Sequence, residues 1–298
     1  MRYVFFVFFS CWILLVQQTS AQQILAQQAV AEDRAPVTYG DNEAVGEKVS
    51  VNGIDMYFES YGSGQAVVVI HGNGESGASL HNQIAHFMHN NRVVVADNRG
   101  HGKSSLGHDP LNYVQMMEDW NSLLEHLDIK NANVIGWSDG GILALLLAIH
   151  HPEKVNKMAI MGANLQPGEG AVNPWAQEFV AIARAAVEEM IATKDTSQNW
   201  LVAQQQLMLL AEQPNIAIED VHKITAPVLV MAADKDIIRD THTLEIFNNL
   251  QRAHLAILPG TTHWAPVTDA KSFNVMVAKF FDNPYERPES RKVLEEAL

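Results

Sequence analysis

The sequence is short of cysteine and of positive charge. Its only cysteine, Cys11, lies in an apolar N-terminal segment, so the rest of the chain can form no disulfide and no cysteine-based metal site. Lys and Arg number 20 against 34 Asp and Glu, which gives a formal net charge of -14. Because phosphate binding needs clustered Lys and Arg, this balance excludes nucleic acid as the expected partner. Stability must come from an apolar core, which 298 residues with 47% apolar content can supply.

The most apolar stretch, residues 4–16, is too short to span a bilayer, which takes about 20 residues. It follows Arg2 and precedes small residues, a pattern typical of a secretory signal peptide. We therefore predict a signal peptide over residues 1–21 and export to the periplasm or medium, with no other membrane contact. Mass spectrometry of exported material would then find a chain that starts directly after Ala21. The alternative is an uncleaved N-terminal anchor.

The remaining chain divides into a linker and one domain. Residues 22–46 are rich in Gln and Ala, then acidic, without sustained periodicity, and are predicted to be a poorly ordered linker. From residue 47 a hairpin is predicted around Asn52-Gly53. Continuous apolar runs follow, at residues 66–70, 92–97, 132–137, 157–162, 227–233 and 253–260. Separated by helical stretches, they predict an α/β fold with a mostly parallel sheet between two helical layers, over residues 47–298.

One interval interrupts the alternation of strands and helices. Residues 164–222 contain helical sequence but no convincing strand. A helical insertion between two core strands lies over one edge of the sheet, where it can cover a pocket. We predict a lid here, the alternative being an extension of the core.

The stretch "VIGWSDGG", residues 134–141, contains the spacing G-x-S-x-G. Ser138 lies between a predicted strand and a predicted helix, in a turn that needs Gly136 and Gly140 because strand and helix fold back on each other. Strand, turn and helix together are the context of a nucleophile elbow, which exposes the serine oxygen in a strained backbone conformation. We predict that Ser138 is a nucleophile.

A serine nucleophile needs a base, and that base needs an orienting acid. Three histidines lie beyond the predicted strand at 227–233. His242 falls in a helical segment and His254 in a strand, whereas His263 lies in the loop after the last strand, at the edge that carries Ser138. We predict that His263 is the base.

The acid is expected just beyond the strand at 227–233. Asp234, Asp236 and Asp240 follow it, and Asp240 falls in the next helix. Spacing alone leaves Asp234 and Asp236 open, since Asp234 could simply end the strand.

The negatively charged oxygen of a tetrahedral intermediate needs two preorganised N–H donors. The backbone N–H of Asp139, directly after the nucleophile, is one candidate for this oxyanion hole. The second is the backbone N–H of Asn73, in the loop "HGNG" that follows the strand at 66–70. His71, in the same loop, is predicted to have a structural role.

We predict neither a metal nor a cofactor. His81, His86 and His89 lie in one helical segment, but no HExxH motif or carboxylate partner accompanies them, so a solvated helix face is expected. The glycines at 62–65 precede a strand and do not open a helix, so no phosphate-binding loop is predicted.

The sequence resembles the α/β-hydrolase superfamily. The matching segments are His71 to Gly74, "DNRGHGKS" at 97–104, Gly136 to Gly140, Asp236 and His263. Within the superfamily, "IGWSDGGI" and "KMAIMGAN" look most like the biphenyl-hydrolase-like proteins, the valacyclovir hydrolase group. The resemblance covers residues 47–163 and 225–281 and leaves out the lid.

This resemblance implies the α/β-hydrolase fold and a structural role for "DNRGHGKS". The lid over residues 164–222 remains a prediction from the helical sequence of that interval. It favours Asp236 over Asp234 as the acid of a Ser138–Asp236–His263 triad. It also implies that Asp139, the acidic residue after the serine, receives the α-amino group of amino-acid ester substrates. A negative charge in the first turn of a helix is favourable in any case.

The expected function is that of a serine hydrolase that cleaves a small carboxylic ester, such as an amino-acid ester, through an acyl-enzyme. Hydrolysis of a C–C bond or a lactone, and perhydrolysis, use the same triad and remain alternatives. A non-catalytic binding protein on a hydrolase scaffold is the alternative from another class. The expected partner is a small-molecule ester, and the sequence makes no prediction of oligomeric state.

Overall fold

The computed structural model describes residues 37–297. The predicted signal peptide, 1–21, and most of the predicted linker lie outside this range and stay predictions. Within the described range, no helix is both long and apolar enough to cross a membrane. One compact unit begins at Thr38 and continues to the C-terminus.

Eight strands form one sheet in the described residues. They are β1 (Glu47–Val51), β2 (Ile54–Tyr61), β3 (Gln65–Ile70), β4 (Asn91–Ala96), β5 (Ala132–Trp137), β6 (Val155–Met161), β7 (Val228–Lys235) and β8 (Ala253–Thr262). Their order across the sheet is β1-β2-β4-β3-β5-β6-β7-β8. Strand β2 runs antiparallel to both neighbours, and all pairs from β4–β3 to β7–β8 are parallel. Every strand predicted from an apolar run is present.

Helices cover both faces of the sheet. They are α1 (His81–Phe87), α2 (Tyr113–His126), α3 (Asp139–His150), α4 (Pro174–Ala192), α5 (Trp200–Glu212), α6 (Ile218–Val221), α7 (Asp240–Asn249), α8 (Ala265–Thr268), α9 (Ala270–Asp282) and α10 (Ser290–Glu296). Helices α2, α3 and α7 contribute to the core on one face, and α1 and α9 to the core on the other.

The core follows from the alternation of side chains along the strands. Successive residues point to opposite faces, so both faces need apolar residues when both are covered. In β3, Val68 belongs to the core under α2 and α3, whereas Val67 and Val69 belong to the core under α1 and α9. The continuous apolar runs in the sequence therefore reflect a sheet that is buried on both sides.

The boundary between linker and domain differs from the prediction. Residues 38–46 belong to the domain instead of the linker, because two of their backbone N–H groups bind a buried carboxylate. Gly40 and Asn42 donate to the two oxygens of Glu59, at 2.7 and 2.6 Å. Without this segment, Glu59, on β2, would lose hydrogen bonds that offset the cost of burying its charge.

The insertion between β6 and β7 is helical, as predicted. It contains α4, α5 and α6, and only one isolated backbone bridge, Val172 to Ile238, joins it to the loop after β7. The helices α4 and α5 bury few side chains; in α5 only Leu209 is buried. The insertion meets the sheet edge through polar contacts: Gln205 accepts the Leu111 N–H at 2.8 Å, and the Gln206 amide donates to the Gly100 carbonyl at 2.9 Å.

Candidate active site

Ser138 occupies the turn between β5 and α3. Its backbone has φ 56° and ψ -120°, a region that a residue with a side chain rarely adopts, so strain is concentrated here. A Cβ on Gly136 would lie 2.3 Å from the Gly140 carbonyl oxygen, and one on Gly140 would lie 2.1 Å from the oxygen of Ile70. The turn therefore has the nucleophile-elbow geometry that the sequence predicts, with glycine required at both positions.

His263 and Asp236 form a buried pair at the same edge of the sheet. The His263 Nδ1 donates to the Asp236 Oδ1 at 2.6 Å, and the two residues are 5% and 7% exposed. Backbone N–H groups of Ala233 and Ile238 also donate to the carboxylate, at 3.0 and 3.2 Å. Burial raises the pKa of Asp236, but the bond from His263 and these N–H groups lower it more, so the pKa lies below its usual value. Asp236 is thus held as a carboxylate.

The other two candidate acids lie away from His263. Asp234 is exposed, and its carboxylate accepts the Gly260 N–H at 2.9 Å, which joins β7 to the end of β8. Asp240 is the first residue of α7, as predicted. Of the three aspartates, Asp236 is the one that contacts the imidazole.

The two other late histidines have structural partners. The His242 Nε2 accepts the Leu165 N–H at 3.0 Å, and its Nδ1 donates to Glu245 at 2.8 Å. His254, in β8, donates to the Glu286 carbonyl at 2.7 Å. These contacts account for both side chains without any catalytic role.

The His263 loop is tied to the strand that carries Ser138. The indole N–H of Trp137 donates to the His263 carbonyl at 2.7 Å. The imidazole lies against Gly162, where a Cβ would be 2.6 Å from Cε1. The preceding residue, Met161, accepts the Ser138 N–H at 2.8 Å. Ser138 and His263 are therefore held on either side of the end of β6.

The "HGNG" loop passes directly against Ser138. A Cβ on Gly72 would lie 3.0 Å from the Cβ of Ser138. Within residues 37–297, the backbone N–H groups of Asn73 and Asp139 have no hydrogen-bond acceptor. Two unused N–H donors near Ser138 are what an oxyanion hole at this residue would require.

The side chain of Asp139 is buried beside this loop. It is 2% exposed, and its Oδ2 accepts the Asn73 side-chain amide at 3.0 Å. The same amide donates to the Gln206 carbonyl in α5 at 3.1 Å. Burial raises the pKa of Asp139 to about 6, although hydrogen bonds with Asn73 and Tyr113 and the electrostatic interaction with His263 lower it in part. Asp139 therefore changes its charge close to neutral pH.

The "DNRGHGKS" loop is a rigid support, as the resemblance implies. Arg99 donates through Nε and Nη2 to both oxygens of Asp119, each at 2.7 Å, and both residues are buried. Asp97 accepts the N–H groups of Gly77 and Lys103 at 2.8 and 2.7 Å. These bonds join the loop to α2 and to the segment before α1.

His71 is structural, in agreement with the prediction. It is fully buried, donates through Nδ1 to the Gly72 carbonyl at 2.8 Å and accepts the Asn98 N–H at Nε2 at 2.9 Å. Burial lowers its pKa to about 4, more than the bond to Gly72 raises it, so the ring is neutral at pH 7. His71 thus fixes the "HGNG" loop against the loop that follows β4.

The histidines near α1 have separate surroundings. His81 Nδ1 accepts the Tyr39 N–H at 3.2 Å, and the His86 ring packs against Phe87. Helix α1 ends at Phe87, so His89 lies beyond it. In the described part of the chain, no group of three or more His, Cys, Asp and Glu side chains is arranged to hold a metal ion.

Sequence reasoning missed several residues that shape the site. Trp137 fixes the His263 loop, Tyr113 buries its hydroxyl close to Asp139, and Gln206 brings the insertion to Asn73. Trp137 stands in the quoted motif, and its place next to the serine was the one available signal. Nothing in the sequence around Tyr113 or Gln206 indicates these contacts.

A family search matches residues 65–197 to the α/β hydrolase fold. Among curated proteins, the chain is 26% identical to mouse "Serine hydrolase BPHL" (Mus musculus), over 82% of this chain and 89% of the relative. It is 27% identical to the "Putative carbamate hydrolase RutD" of Caulobacter sp. (strain K31), over 76% and 95% of the two chains. Over 41% of this chain and 47% of the relative, it is 31% identical to "3-oxoadipate enol-lactonase 2" of Acinetobacter baylyi.

Solved structures show the same fold. An α/β hydrolase from a Medee basin deep-sea metagenome, MGS-M2, superposes with a TM-score of 0.71 at 19% identity, covering 82% of this chain and all of the other. A meta-cleavage product hydrolase from Pseudomonas fluorescens IP01 gives 0.65 at 19% identity, over 81% and 99% of the two chains. The sheet order and these matches show that the chain has the α/β-hydrolase fold, and the curated relatives support hydrolase activity.

Proposed function

We propose that this hydrolase cleaves small carboxylic esters through an acyl-serine intermediate. The observation that carries the proposal is the buried hydrogen bond of 2.6 Å between His263 and Asp236, at the sheet edge where Ser138 occupies a strained turn. Nδ1 of the imidazole is engaged by the carboxylate, which leaves Nε2 as the nitrogen that can accept a proton.

In the first half of the reaction, the Ser138 oxygen attacks the ester carbonyl while its proton passes to the His263 Nε2. The carbonyl oxygen becomes negatively charged, and the N–H groups of Asn73 and Asp139 stabilise it. The tetrahedral intermediate then breaks its bond to the alcohol oxygen, which takes the proton from Nε2. An acyl-serine and a free alcohol result.

In the second half, water attacks the acyl-serine and gives a proton to His263. Collapse of the second intermediate releases the carboxylic acid and returns the proton to the serine oxygen. Asp236 remains ionised throughout, since its pKa is held below its usual value, and it stabilises the imidazolium that forms twice in each cycle.

We further propose that an amino-acid ester is a good substrate, with its α-amino group at Asp139. The resemblance to the biphenyl-hydrolase-like proteins supports this, as does the position of Asp139 beside the nucleophile. Its carboxylate has one firm partner, the Asn73 side chain at 3.0 Å, and an ammonium group would add a second. The gain expected from a charge-assisted hydrogen bond is about 1.5–3 kcal/mol.

A lactone is the second candidate substrate, because one of the relatives is named as an enol-lactonase. Ring opening of a lactone uses the same steps, except that the alcohol remains attached to the acyl group. A panel of linear esters and lactones of matched size would rank the two classes by kcat/KM.

The test of the mechanism is Ser138→Ala, assayed with a chromogenic short-chain ester. We expect kcat to fall by about 10³- to 10⁶-fold while the protein stays folded. Ser122→Ala, on the surface of α2, is the matched control and should keep normal activity. A serine-directed fluorophosphonate should label the wild type and the control but not Ser138→Ala. Near-normal turnover in Ser138→Ala would refute the proposal, and absence of esterase activity in the wild type would favour a binding protein.

A further inference from the structure

A cavity of about 450 Å³ lies between the "HGNG" loop, the "DNRGHGKS" loop and the insertion. Its walls come from residues 74–75, 100–102, 104–106, 198–199, 202–203 and 206. In the described chain, Glu75 is the one carboxylate among its lining residues, and no lysine or arginine lines it. The hydroxyl and amide side chains of its lining both donate and accept hydrogen bonds. Burial raises the pKa of Glu75, more than a bond with Ser79 lowers it, and a bound cation would favour the charged form of this carboxyl.

His101, one of the lining residues, has a buried ring nitrogen without a hydrogen-bond partner among the described residues. It is 3% exposed, and its Nδ1 donates to the Arg99 carbonyl at 2.9 Å. Burial lowers its pKa to about 3, with a further contribution from neighbouring His71, so the ring is neutral and Nε2 carries a lone pair. Within residues 37–297 this buried Nε2 has no hydrogen-bond partner. A buried acceptor without a donor is costly unless a ligand supplies one.

Glu75 lies within reach of the ester that Ser138 attacks. Its N–H donates to the Gly72 carbonyl at 3.3 Å, which closes a four-residue turn, and such a turn holds its end residues within about 7 Å. Gly72 passes close to Ser138, since a Cβ on Gly72 would lie 3.0 Å from the Ser138 Cβ. The half-buried carboxylate thus belongs to the same loop as the proposed oxyanion donor Asn73, two residues further along the chain.

The cavity is separate from the surroundings of Asp139. The Asn73 side chain donates to Asp139 and to the backbone of Gln206, whereas the Gln206 side chain lines the cavity and donates to Gly100. Neither Asp139 nor its neighbour Tyr113 is among the lining residues. An ester whose acyl half lies toward Asp139 therefore has this cavity available for its other half.

We propose that this cavity binds the alcohol half of the ester and favours alcohols that carry a protonated amine. Glu75 balances the positive charge, and the His101 Nε2 accepts the N–H of the ammonium group. The inference rests on the proposed function, since it assumes an ester cleaved at Ser138. In this proposal Glu75 and His101 determine substrate specificity and take no part in bond breaking.

The test compares two esters of the same carboxylic acid. Their alcohol halves differ at one position, which is nitrogen in one ester and carbon in the other. The 2-(dimethylamino)ethyl ester and the 3-methylbutyl ester have nearly the same shape, but only the first carries a protonated nitrogen at pH 7. We expect the wild type to prefer the amine by about 10- to 150-fold in kcat/KM, as a charge-assisted bond implies. Glu75→Gln should remove most of this preference, because kcat/KM should fall far more for the amine ester than for the 3-methylbutyl ester. His101→Phe should reduce it by a smaller factor.

Glu178→Gln, on the exposed face of α4, is the control for a general change in charge and should keep the preference.

Product inhibition gives a measurement on the wild type alone: 2-(dimethylamino)ethanol should inhibit at least about tenfold more strongly than 3-methylbutanol. Equal hydrolysis of both esters with equal inhibition by both alcohols would overturn the inference and leave the proposed function intact. A preference that survives Glu75→Gln would also overturn it. Ser138→Ala, measured alongside, should lose hydrolysis of both esters. This loss tests the proposed nucleophile independently of the preference for the amine.

Discussion

The carboxyl edge of the sheet and the helical insertion are built in different ways. At the sheet edge, Asp236 and His263 are buried, and backbone N–H groups and a tryptophan indole fix them. In the insertion, large apolar side chains are exposed: Trp175, Ile182 and Leu201 are each 58% accessible. Its contacts with the site are polar: Gln206 contacts Asn73 and Gly100, and the Asn173 side chain donates to the Asp236 carbonyl at 3.0 Å.

In the proposed mechanism, this difference separates the chemistry from the choice of substrate. Proton transfer needs groups held to a fraction of an ångström, which a parallel sheet edge with buried partners can provide. A loosely packed insertion tolerates other sequences at little cost to stability. Substitutions at the sheet edge should therefore change kcat, and substitutions along the insertion should change the relative rates of substrates.

The largest effect is expected at the sheet edge. Asp236→Asn should lower kcat by about 10⁴-fold, because the imidazole loses the carboxylate that fixes its tautomer and stabilises its positive charge. The matched control is Asp234→Asn, two residues away, which loses only an exposed bond to Gly260 and should change kcat less than about threefold. The reverse pattern, measured by steady-state kinetics on both variants, would transfer the role of the acid to Asp234.

An intermediate effect is expected at Asp139, where the two regions meet. A valine ester and its des-amino analogue should differ by about 10- to 150-fold in kcat/KM on the wild type. Asp139→Asn should abolish most of that ratio, since the ammonium group loses its counter-charge. A wild type that prefers the des-amino ester would leave Asp139 with only its favourable position at the start of α3.

The same ratio should depend on pH. Burial raises the pKa of Asp139 to about 6, so the carboxylate is charged above this value and neutral below it. The preference for the amine should therefore be largest near pH 7 and decline as the pH falls through about 6. It should also decline above about pH 8, where the α-amino group of the substrate loses its own proton. A ratio that stays constant from pH 8 to 5 would contradict the assignment, and Asp139→Asn provides the pH-independent control.

The smallest effect is expected in the insertion. Gln206→Ala removes the amide that binds the Gly100 carbonyl, a bond worth about 0.5–1.5 kcal/mol. We expect KM to rise a few-fold and kcat to change by less than about twofold, because α5 keeps its backbone contact with Asn73. Gln177→Ala, in α4, serves as a control with a bond confined to the insertion itself. A large loss of kcat would show that the insertion also positions the reacting groups.

Sequence reasoning succeeded where local patterns decide the structure. The buried strands, the elbow at Ser138 and the loop of His263 all follow from apolar runs, glycine spacing and chain order. The spacing did not decide whether Asp234 or Asp236 is the acid, because both lie at the end of the same strand. Only the three-dimensional turn determines which carboxylate contacts the imidazole. The packing of residues 38–46 also depends on a distant partner, the buried Glu59, which no local pattern reveals.

The indole bond from Trp137 to the His263 carbonyl has a consequence for thermal motion. The loop after β8 would otherwise be free to fluctuate independently of β5, as surface loops do. Because the residue directly before Ser138 holds the backbone of His263, a displacement of the loop carries the strand end with it. The separation between the serine oxygen and the imidazole should then vary less than the position of either group relative to the rest of the protein. Removal of the indole N–H would let these two motions decouple even in a chain with an unchanged average structure.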